Sequence, residues 1–400
     1  MQKGLSLCEL LDVSVEQQPD QVAYQFLHRG ETVGEALTYR ELQQRVGAIA
    51  SSLQAANATG GRALLLFSPG LDLISACLGC LAAGVTAVPA YPPRKNQKIL
   101  RLQAIIQDAE ATVVLTTTQL AARMGQWFSP ESPLGKAQWI TVNDIKADNS
   151  AVSLTDGWQK DGSRNSLAFL QYTSGSTGTP KGVMVSHENL LHNLSLIYQA
   201  FGHSEQSRGV IWLPPYHDMG LIGGVLQPLY GGFPVTLMSP VDFLQKPLRW
   251  LAAISQHRAT TSGGPDFAYD LCVRRVESLR HRSEASKSCL NEQLSSLDLS
   301  CWKVAFTGAE PVRVETLKRF SETFSPYGFK EEAFYPCYGM AETTLIVSGG
   351  AIETPPRIET VNADTLNQHK FKHKVQRNKI KNESVQKVRS RKEARLQTES

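Results

Sequence analysis

The sequence has no long hydrophobic run and no cysteine pattern of a metal site. No apolar stretch reaches the roughly 18 residues of a membrane-spanning helix. The N-terminal apolar segment is interrupted by Glu9 and Asp12, so we expect no signal peptide either. The one close cysteine pair, Cys77 and Cys80, lies in an apolar helical stretch, which favours buried thiols over a zinc or redox site. These absences predict a cytoplasmic protein with free thiols and no membrane span.

Most of the chain has no excess of basic over acidic residues. Residues 371–400 hold ten Lys/Arg and three Asp/Glu of the 41 and 37 in the sequence, which leaves residues 1–370 with a net charge of −3. The body therefore offers no surface for nucleic acid. The tail has few large apolar residues, so residues 370–400 are interpreted as disordered or of non-native origin. A nucleic-acid-binding basic arm is the alternative for this tail alone.

Short apolar β-rich runs alternate with helix-like segments, and no repeat of fixed period is present. The strands read as continuous apolar runs, which is typical of sheets covered by helices on both faces. The pattern therefore predicts an α/β fold. The predicted strands are Ala63–Phe67, Val85–Val88, Thr112–Thr116, Leu167–Tyr172, Val210–Leu213, Pro234–Met238 and Trp302–Phe306. The predicted helices are Tyr39–Ala55, Leu71–Ala83, Ile99–Asp108, His187–Phe201, Pro247–Gln256 and Val312–Thr323, with Ser186 as an N-cap.

The segment Tyr172–Gly182, YTSGSTGTPKG, has the composition of a phosphate-binding loop. Glycines let backbone N–H groups approach phosphate oxygens, hydroxyls add short donors, and Lys181 adds a mobile positive charge. The segment lacks the GKS or GKT of a Walker A loop and is not GxGxxG. A Ser/Gly-rich linker is the alternative, but this segment lies between two apolar runs.

This loop resembles the signature of the adenylate-forming superfamily, and three further phrases occur in the same order as in that superfamily. They are PPYHD at Pro214–Asp218, TGAEP at Thr307–Pro311 and YGMAET at Tyr338–Thr343. The stretch GGPDF at Gly263–Phe267 is similar to the wall of the carboxylate pocket, although a plain turn explains it nearly as well. The resemblance implies a large domain of helix-covered mixed sheets, layered αβαβα.

The resemblance also implies a role for each matching residue. Lys181, His217, Glu342 and Thr343 match residues that act on the phosphates, the acyl site and Mg²⁺, with Glu342 as the metal ligand. The residues implied to bind the nucleotide of ATP are Thr173, Ser174, Gly175, Ser176, Thr177, Gly178, Thr179, Gly308, Ala309, Glu310, Pro311 and Tyr338. The residues implied to line the acyl pocket are His217, Gly263, Gly264, Phe267, Gly339, Met340 and Ala341.

Longer phrases between residues 88 and 275 are similar to the fatty acyl-AMP ligase branch, and the likeness runs from about Leu10 to about Asn367. The implied chemistry uses ATP and Mg²⁺ to convert a fatty acid into its acyl-AMP, which passes to the phosphopantetheine thiol of an acyl carrier protein. An acyl-CoA synthetase is an alternative, because it shares the loop.

The family pattern also includes parts that do not appear in this sequence. No ribose-binding aspartate, hinge or C-terminal lid domain with its lysine follows Glu342. The predicted organisation is therefore an AMP-binding large domain over residues 1–369, incomplete at its C-terminal end, and the tail. A catalytically impaired nucleotide- or acyl-binding remnant is a further alternative.

Overall fold

The computed structural model describes residues 5–93, 99–124, 127–145, 166–173, 180–281 and 283–360. Residues Met1–Pro356 form one unit of mutually contacting chain and Arg357–Ser400 form a second. The basic tail predicted over residues 370–400 lies outside the described residues. Among the described helices, none combines the length and apolar character needed to cross a bilayer.

The predicted motifs PPYHD, GGPDF, TGAEP and YGMAET lie at the ends of strands in the larger of the two sheets. Its strand order is β14-β13-β12-β11-β9-β10-β1-β2, with parallel pairing except at the two edge pairs. The strands are β1 (Val22–His28), β2 (Thr32–Thr38), β9 (Gly209–Ile211), β10 (Val235–Leu237), β11 (Thr261–Gly263), β12 (Val304–Thr307), β13 (Phe334–Gly339) and β14 (Ile346–Gly349).

The smaller sheet shows why its strands read as continuous apolar runs. Its order is β6-β5-β3-β4-β7-β8, with β7 and β8 antiparallel and the remaining pairs parallel. In β3, Ala63 and Leu65 join the main core, whereas Leu64 and Leu66 join a second cluster on the other face. Both faces are therefore covered. The strands are β3 (Arg62–Leu66), β4 (Thr86–Ala90), β5 (Val113–Thr116), β6 (Gln138–Thr141), β7 (Leu167–Thr173) and β8 (Lys181–Ser186).

The helices begin at side-chain caps where the sequence provides them. Ser6, Thr38 and Ser186 each form a capping box with the residue three positions on. The helices are α1 (Leu7–Gln17), α2 (Tyr39–Ala55), α3 (Leu71–Ala82), α4 (Ile99–Asp108), α5 (Thr118–Met124), α6 (Pro133–Lys136), α7 (His187–Ala200), α8 (Gln227–Gly231), α9 (Pro240–Gln245), α10 (Leu248–Gln256), α11 (Asp266–Arg280), α12 (Glu284–Ser295) and α13 (Val314–Phe324). A π-helix spans Met219–Leu226.

The predicted α/β class of helix-covered mixed sheets is confirmed, and the predicted helices agree with α2, α3, α4, α7, α10 and α13 to within about two residues. Cys77 and Cys80 are buried in α3, as expected. The strand predicted at Trp302–Phe306 begins two residues later. The indole of Trp302 is instead buried and donates to the carbonyls of Ser262 and Val304.

Candidate active site

Four predicted motifs follow four strands of the larger sheet. PPYHD follows β9, GGPDF begins at the end of β11, TGAEP begins at the end of β12, and GMAET follows β13. Because β9, β11, β12 and β13 are parallel neighbours, all four motifs lie at the carboxyl edge of one sheet. Open α/β sheets bind ligands at this edge.

The motifs GGPDF and TGAEP are bonded to one another. The Gly264 N–H donates to the Phe306 carbonyl at 3.1 Å, and the Phe267 N–H donates to Oε1 of Glu310 at 2.8 Å. Glu310 therefore satisfies one of the free N–H groups at the start of α11. One oxygen of the Glu310 carboxylate is therefore engaged in holding this turn, and a contact of the turn with a nucleotide remains a prediction.

Asp266 strengthens the same connection. Its side chain is fully buried and accepts hydrogen bonds from the backbone N–H of Arg313, at 2.9 Å, from Arg313 Nε, at 3.0 Å, and from Thr316 Oγ1, at 3.0 Å. Bonds to an ionised acceptor are the stronger kind. Asp266 thus fixes α11 to the chain that leaves the TGAEP turn.

The two glycines of GGPDF have a packing reason to be small. A Cβ atom at Gly263 would overlap the Phe306 carbonyl oxygen, and one at Gly264 would lie 2.6 Å from the Trp212 ring. Phe267 packs edge-on against Trp212, with ring centroids 6.0 Å apart. The space beside these residues is occupied by protein side chains, and their role at an acyl pocket remains a prediction.

The TGAEP turn contains a residue in an uncommon backbone conformation. Ala309 has a φ of 65°, in the left-handed region that residues with a Cβ seldom adopt. A Cβ at Gly308 would lie 2.6 Å from the Cys337 carbonyl oxygen, so the turn lies close to β13. Residues in sparsely populated backbone conformations cluster at functional sites.

Asn193 of α7 holds the GMAET turn. Its side-chain amide donates to the carbonyls of Thr343, at 3.3 Å, and Ile346, at 3.0 Å, and its Oδ1 accepts from the Ile346 N–H at 3.1 Å. The Thr343 hydroxyl donates to the Met340 carbonyl at 2.9 Å. Asn193 was not a predicted site residue, since its contacts join positions about 150 apart in sequence.

The outer side chains of this turn project from the surface. Tyr338 is 58% exposed and Met340 is 41% exposed, whereas Ala341 is buried. The Tyr338 hydroxyl lies 3.7 Å from the Met340 sulfur. An exposed aromatic at a strand end offers a flat face on which a base can stack.

The polar centre of the site brings together residues from three elements. Asp218 accepts from the Met219 N–H at 2.7 Å at the start of the π-helix. Burial and, to a smaller extent, the Glu342 carboxylate raise the pKa of Asp218, while the Met219 N–H and His217 lower it. Partial enclosure lowers the pKa of His217, Asp218 opposes this shift, and Arg101 adds to it. His217 is therefore neutral at neutral pH.

The start and end of the predicted phosphate loop are fixed by β7 and β8. Thr173 pairs with Lys181 across the two strands. The Tyr172 hydroxyl donates to Asp108 Oδ2 at 2.5 Å, and its ring lies over Gly182, where a Cβ would be 2.9 Å away. Lys181 is exposed. The loop residues Ser174, Gly175, Ser176, Thr177, Gly178 and Thr179 lie outside the described residues.

A narrow cavity of about 80 Å³ with a largely apolar lining opens beside the TGAEP turn. Among the residues predicted for the site, Gly308, Ala309, Tyr338 and Gly339 line it, while the predicted His217, Gly263, Gly264, Phe267, Met340 and Ala341 do not border it. Residues that the sequence did not suggest complete it, among them Phe201, His203, Ile211, Met219, Gly223, Phe233 and Phe306. Phe201 lies on the apolar face that the sequence predicts for the helix His187–Phe201, together with Leu190, Leu194 and Ile197, and this face was the signal that pointed to it.

The carboxylates fit a magnesium ion that also contacts phosphates. Asp218 and Glu342 lie near enough to interact, and Glu342 is exposed on the turn Ala341–Thr343. Mg²⁺ is usually held by one or two protein carboxylates together with substrate phosphates and water. The described residues contain no cluster of three or more His, Cys, Asp or Glu, so a cation here would depend on the phosphates.

Loops gathered at the carboxyl ends of parallel strands, beside an apolar cavity and two carboxylates, give an α/β domain with a candidate ligand site at one edge of its larger sheet. The chain belongs to the family of AMP-binding enzymes, whose sequence model matches residues 11–372.

Similar proteins carry more specific names. The chain is 42% identical to the medium-chain-fatty-acid–[acyl-carrier-protein] ligase JamA of Moorena producens, over 92% of this chain and 60% of JamA. It is 34% identical to the long-chain-fatty-acid–AMP ligase FadD32 of Mycolicibacterium smegmatis, over 87% and 54%. The crystal structure of a fatty acyl-adenylate ligase from L. pneumophila, in complex with acyl adenylate and pyrophosphate, superimposes with a TM-score of 0.76 and 43% identity, over 88% and 58%. The chain thus spans about three-fifths of the length of these relatives.

Proposed function

We propose that this chain activates a fatty acid with ATP, forming an acyl-AMP that an acyl carrier protein then accepts as a thioester. The observation that carries the proposal is the position of the apolar cavity. Its lining includes Gly308 and Ala309 of the TGAEP turn and Tyr338, where we place the nucleotide, together with the rings of Phe201, Phe233 and Phe306. An acyl chain inside it would keep its carboxylate near the polar centre.

In the first step a carboxylate oxygen attacks the α-phosphorus of ATP, and the bond to pyrophosphate breaks. Lys181 and the loop that precedes it bind the phosphates, and the carboxylates of Glu342 and Asp218 would hold Mg²⁺, which would supply positive charge against the phosphates. The backbone of the TGAEP turn orients the base, and Tyr338 stacks on it. The contribution of the protein is positioning and charge stabilisation.

In the second step the phosphopantetheine thiol attacks the acyl carbon, a thioester forms, and AMP leaves. The names of JamA and FadD32 support a fatty acid as the substrate, and the name of JamA supports a carrier protein as the acceptor. The name of JamA specifies a medium-chain fatty acid and that of FadD32 a long-chain one. The cavity of this protein therefore decides which fatty acids fit. Cytoplasmic localisation is part of the proposal.

ATP–pyrophosphate exchange with unbranched fatty acids of graded length tests the first step. Exchange above a Lys181→Ala control supports the proposal, because this substitution removes the positive charge that contacts the phosphates and leaves the cavity unchanged. ATP binding without exchange above that control would contradict it and would favour a nucleotide-binding remnant. Equal transfer to free coenzyme A and to a carrier protein would favour an acyl-CoA synthetase.

A further inference from the structure

Gln171 is a buried polar residue in an otherwise apolar part of β7. Its neighbours in the strand, Phe169, Leu170 and Tyr172, are buried, and Gln171 itself is only 2% exposed. Its side-chain Nε2 donates to the Tyr216 carbonyl at 2.8 Å, whereas its Oε1 has no hydrogen-bond partner among the described residues. An amide oxygen that is buried without a partner lowers stability. A glutamine at this position therefore needs a reason other than stability.

The hydrogen bond of Gln171 joins the two sheets. β7 belongs to the smaller sheet, and Tyr216 lies in the PPYHD turn that follows β9 of the larger sheet. Leu170 and Tyr172 pack in the second hydrophobic cluster, so the side chain of Gln171 projects from the opposite face of β7, toward the main core. Tyr91, which follows β4 of the smaller sheet, adds a ring contact with Tyr216 at a centroid distance of 4.9 Å. Two side chains from the smaller sheet thus hold this turn.

The two reactants of the proposed adenylation are held by different sheets. Thr173, two residues beyond Gln171, pairs with Lys181, so β7 and β8 carry the charge that binds the phosphates. The apolar cavity, in contrast, is lined by none of the described strand residues of the smaller sheet. Asp218, two residues beyond Tyr216, lines the cavity and is one of the two carboxylates that we assign to Mg²⁺. The Gln171 bond therefore connects the strands that bind the phosphates to the turn beside the acyl chain.

We propose that Gln171 is a positioning residue for the adenylation step, which holds the PPYHD turn at a fixed distance from the phosphate-binding strands. This role rests on the proposed function, because it concerns how the same site aligns its two reactants. A displacement of about 1 Å between reacting groups can reduce a rate about a hundredfold. Loss of the Gln171 bond should therefore slow the reaction more than it weakens the binding of the fatty acid.

Gln171→Met tests this role, because methionine has a side chain of similar length that cannot donate to the Tyr216 carbonyl. The substitution also removes the unpaired Oε1, so we expect the urea midpoint of unfolding to change little. In ATP–pyrophosphate exchange by the full chain, kcat should fall by about ten- to a hundredfold. Calorimetric titration should give the fatty-acid affinity of the parent, since Gln171 does not line the cavity.

Gln171→Glu gives a pH-dependent test of the same bond. A protonated carboxyl group can donate to the Tyr216 carbonyl, whereas an ionised carboxylate can only accept. Burial raises the pKa of a carboxyl group at this position, so lowering the pH from about 8 to about 6 restores part of the donor. The kcat of Gln171→Glu relative to that of the parent should therefore rise as the pH falls. The same ratio for Gln171→Met should stay constant.

Gln25→Met is the matched control. Gln25 of β1 donates through its Nε2 to Thr236 Oγ1 of β10 at 2.7 Å, so its bond joins two strands within one sheet. This variant should keep the kcat of the parent. Tyr91→Leu should lower kcat, and its effect should not multiply fully with that of Gln171→Met, because both residues hold the same turn. Circular dichroism checks that each variant is folded, and Gln171→Glu provides the test if Gln171→Met is not.

The outcomes separate this role from the proposed function. Exchange by the parent together with an unchanged kcat for Gln171→Met would overturn the role and leave the proposed function intact. A loss confined to KM or to fatty-acid affinity would also overturn it, because Gln171 would then act in substrate binding. A fall in the urea midpoint that accounts for the whole loss of activity would do the same. Absence of exchange by the parent above the Lys181→Ala control would contradict the proposed function, and the role of Gln171 with it.

Discussion

Replacing Asp266 by alanine should destabilise the chain more than any surface substitution and should displace the TGAEP turn. The carboxylate accepts three hydrogen bonds, from the backbone and side chain of Arg313 and from the hydroxyl of Thr316. After truncation the buried Thr316 hydroxyl and the Arg313 N–H lose their acceptor. Glu310 and Phe267 then provide a single remaining side-chain bond between the two motifs.

The loss of unfolding free energy depends on which of the three donors can be hydrated after the substitution. The Arg313 side chain is 59% exposed, so its guanidinium can be hydrated after the change. The other two donors are left unsatisfied at about 1–3 kcal/mol each, which gives a loss of about 2–6 kcal/mol, and the solvent-screened charged contact adds little. Asp266→Asn keeps the size and one acceptor, so we expect about half that loss.

Urea unfolding followed by tryptophan fluorescence measures these differences, provided that the m-value is unchanged. Thr316→Val should lose about 1 kcal/mol, and its effect should not add fully to that of Asp266→Ala, because the two residues share a bond. Glu131→Ala is the matched control, since that carboxylate is 85% exposed in its ion pair with Lys136. A loss below about 1 kcal/mol for Asp266→Ala would refute the reasoning.

Two further predictions concern the glycine of the GMAET turn and the response to acid. Gly339→Ala should lose about 1–3 kcal/mol and most exchange activity, because its Cβ would overlap the Leu345 carbonyl oxygen, whereas Gly350→Ala, with open space around it, should match the parent in both assays. Burial lowers the pKa of His187 and of His203 from 6.5 to about 4. The unfolded chain therefore binds more protons between these values, and stability should fall by up to about 3 kcal/mol per histidine as the pH drops from about 6.5 to about 4. Urea unfolding across that range should give His203→Phe a smaller loss, and equal losses would contradict the assignment.

The fold class and the position of the polar motifs could be predicted from sequence because both depend on local patterns. The capping box of Ser186 and the apolar face of α7 depend only on residues that are close together in the sequence. The glycines and hydroxyls of the phosphate loop carry their chemistry in composition alone. The phrases that follow β9, β12 and β13 share one sheet edge because parallel neighbouring strands end together.

The cavity could not be predicted in the same way, because it is formed by residues from distant parts of the chain. His203 follows a helix, Met219 begins the π-helix, and Phe306 lies within a strand, so no local pattern joins them. Gly263 and Gly264 illustrate the opposite case. The family resemblance implied that they line the acyl pocket, and in the fold the space beside them accommodates the neighbouring residues Phe306 and Trp212.

The central claim is that a fatty carboxylate attacks the α-phosphorus of ATP at this site, and isotope transfer tests it most directly. The chain is incubated with ATP and a fatty acid labelled with ¹⁸O in its carboxyl group, the acyl product is captured with hydroxylamine, and the AMP is analysed by mass spectrometry. The account predicts AMP that carries one ¹⁸O atom, because the attacking carboxylate oxygen stays on phosphorus when the acyl group leaves, and no such AMP with Lys181→Ala. Unlabelled AMP, or ADP as the nucleotide product, would contradict it.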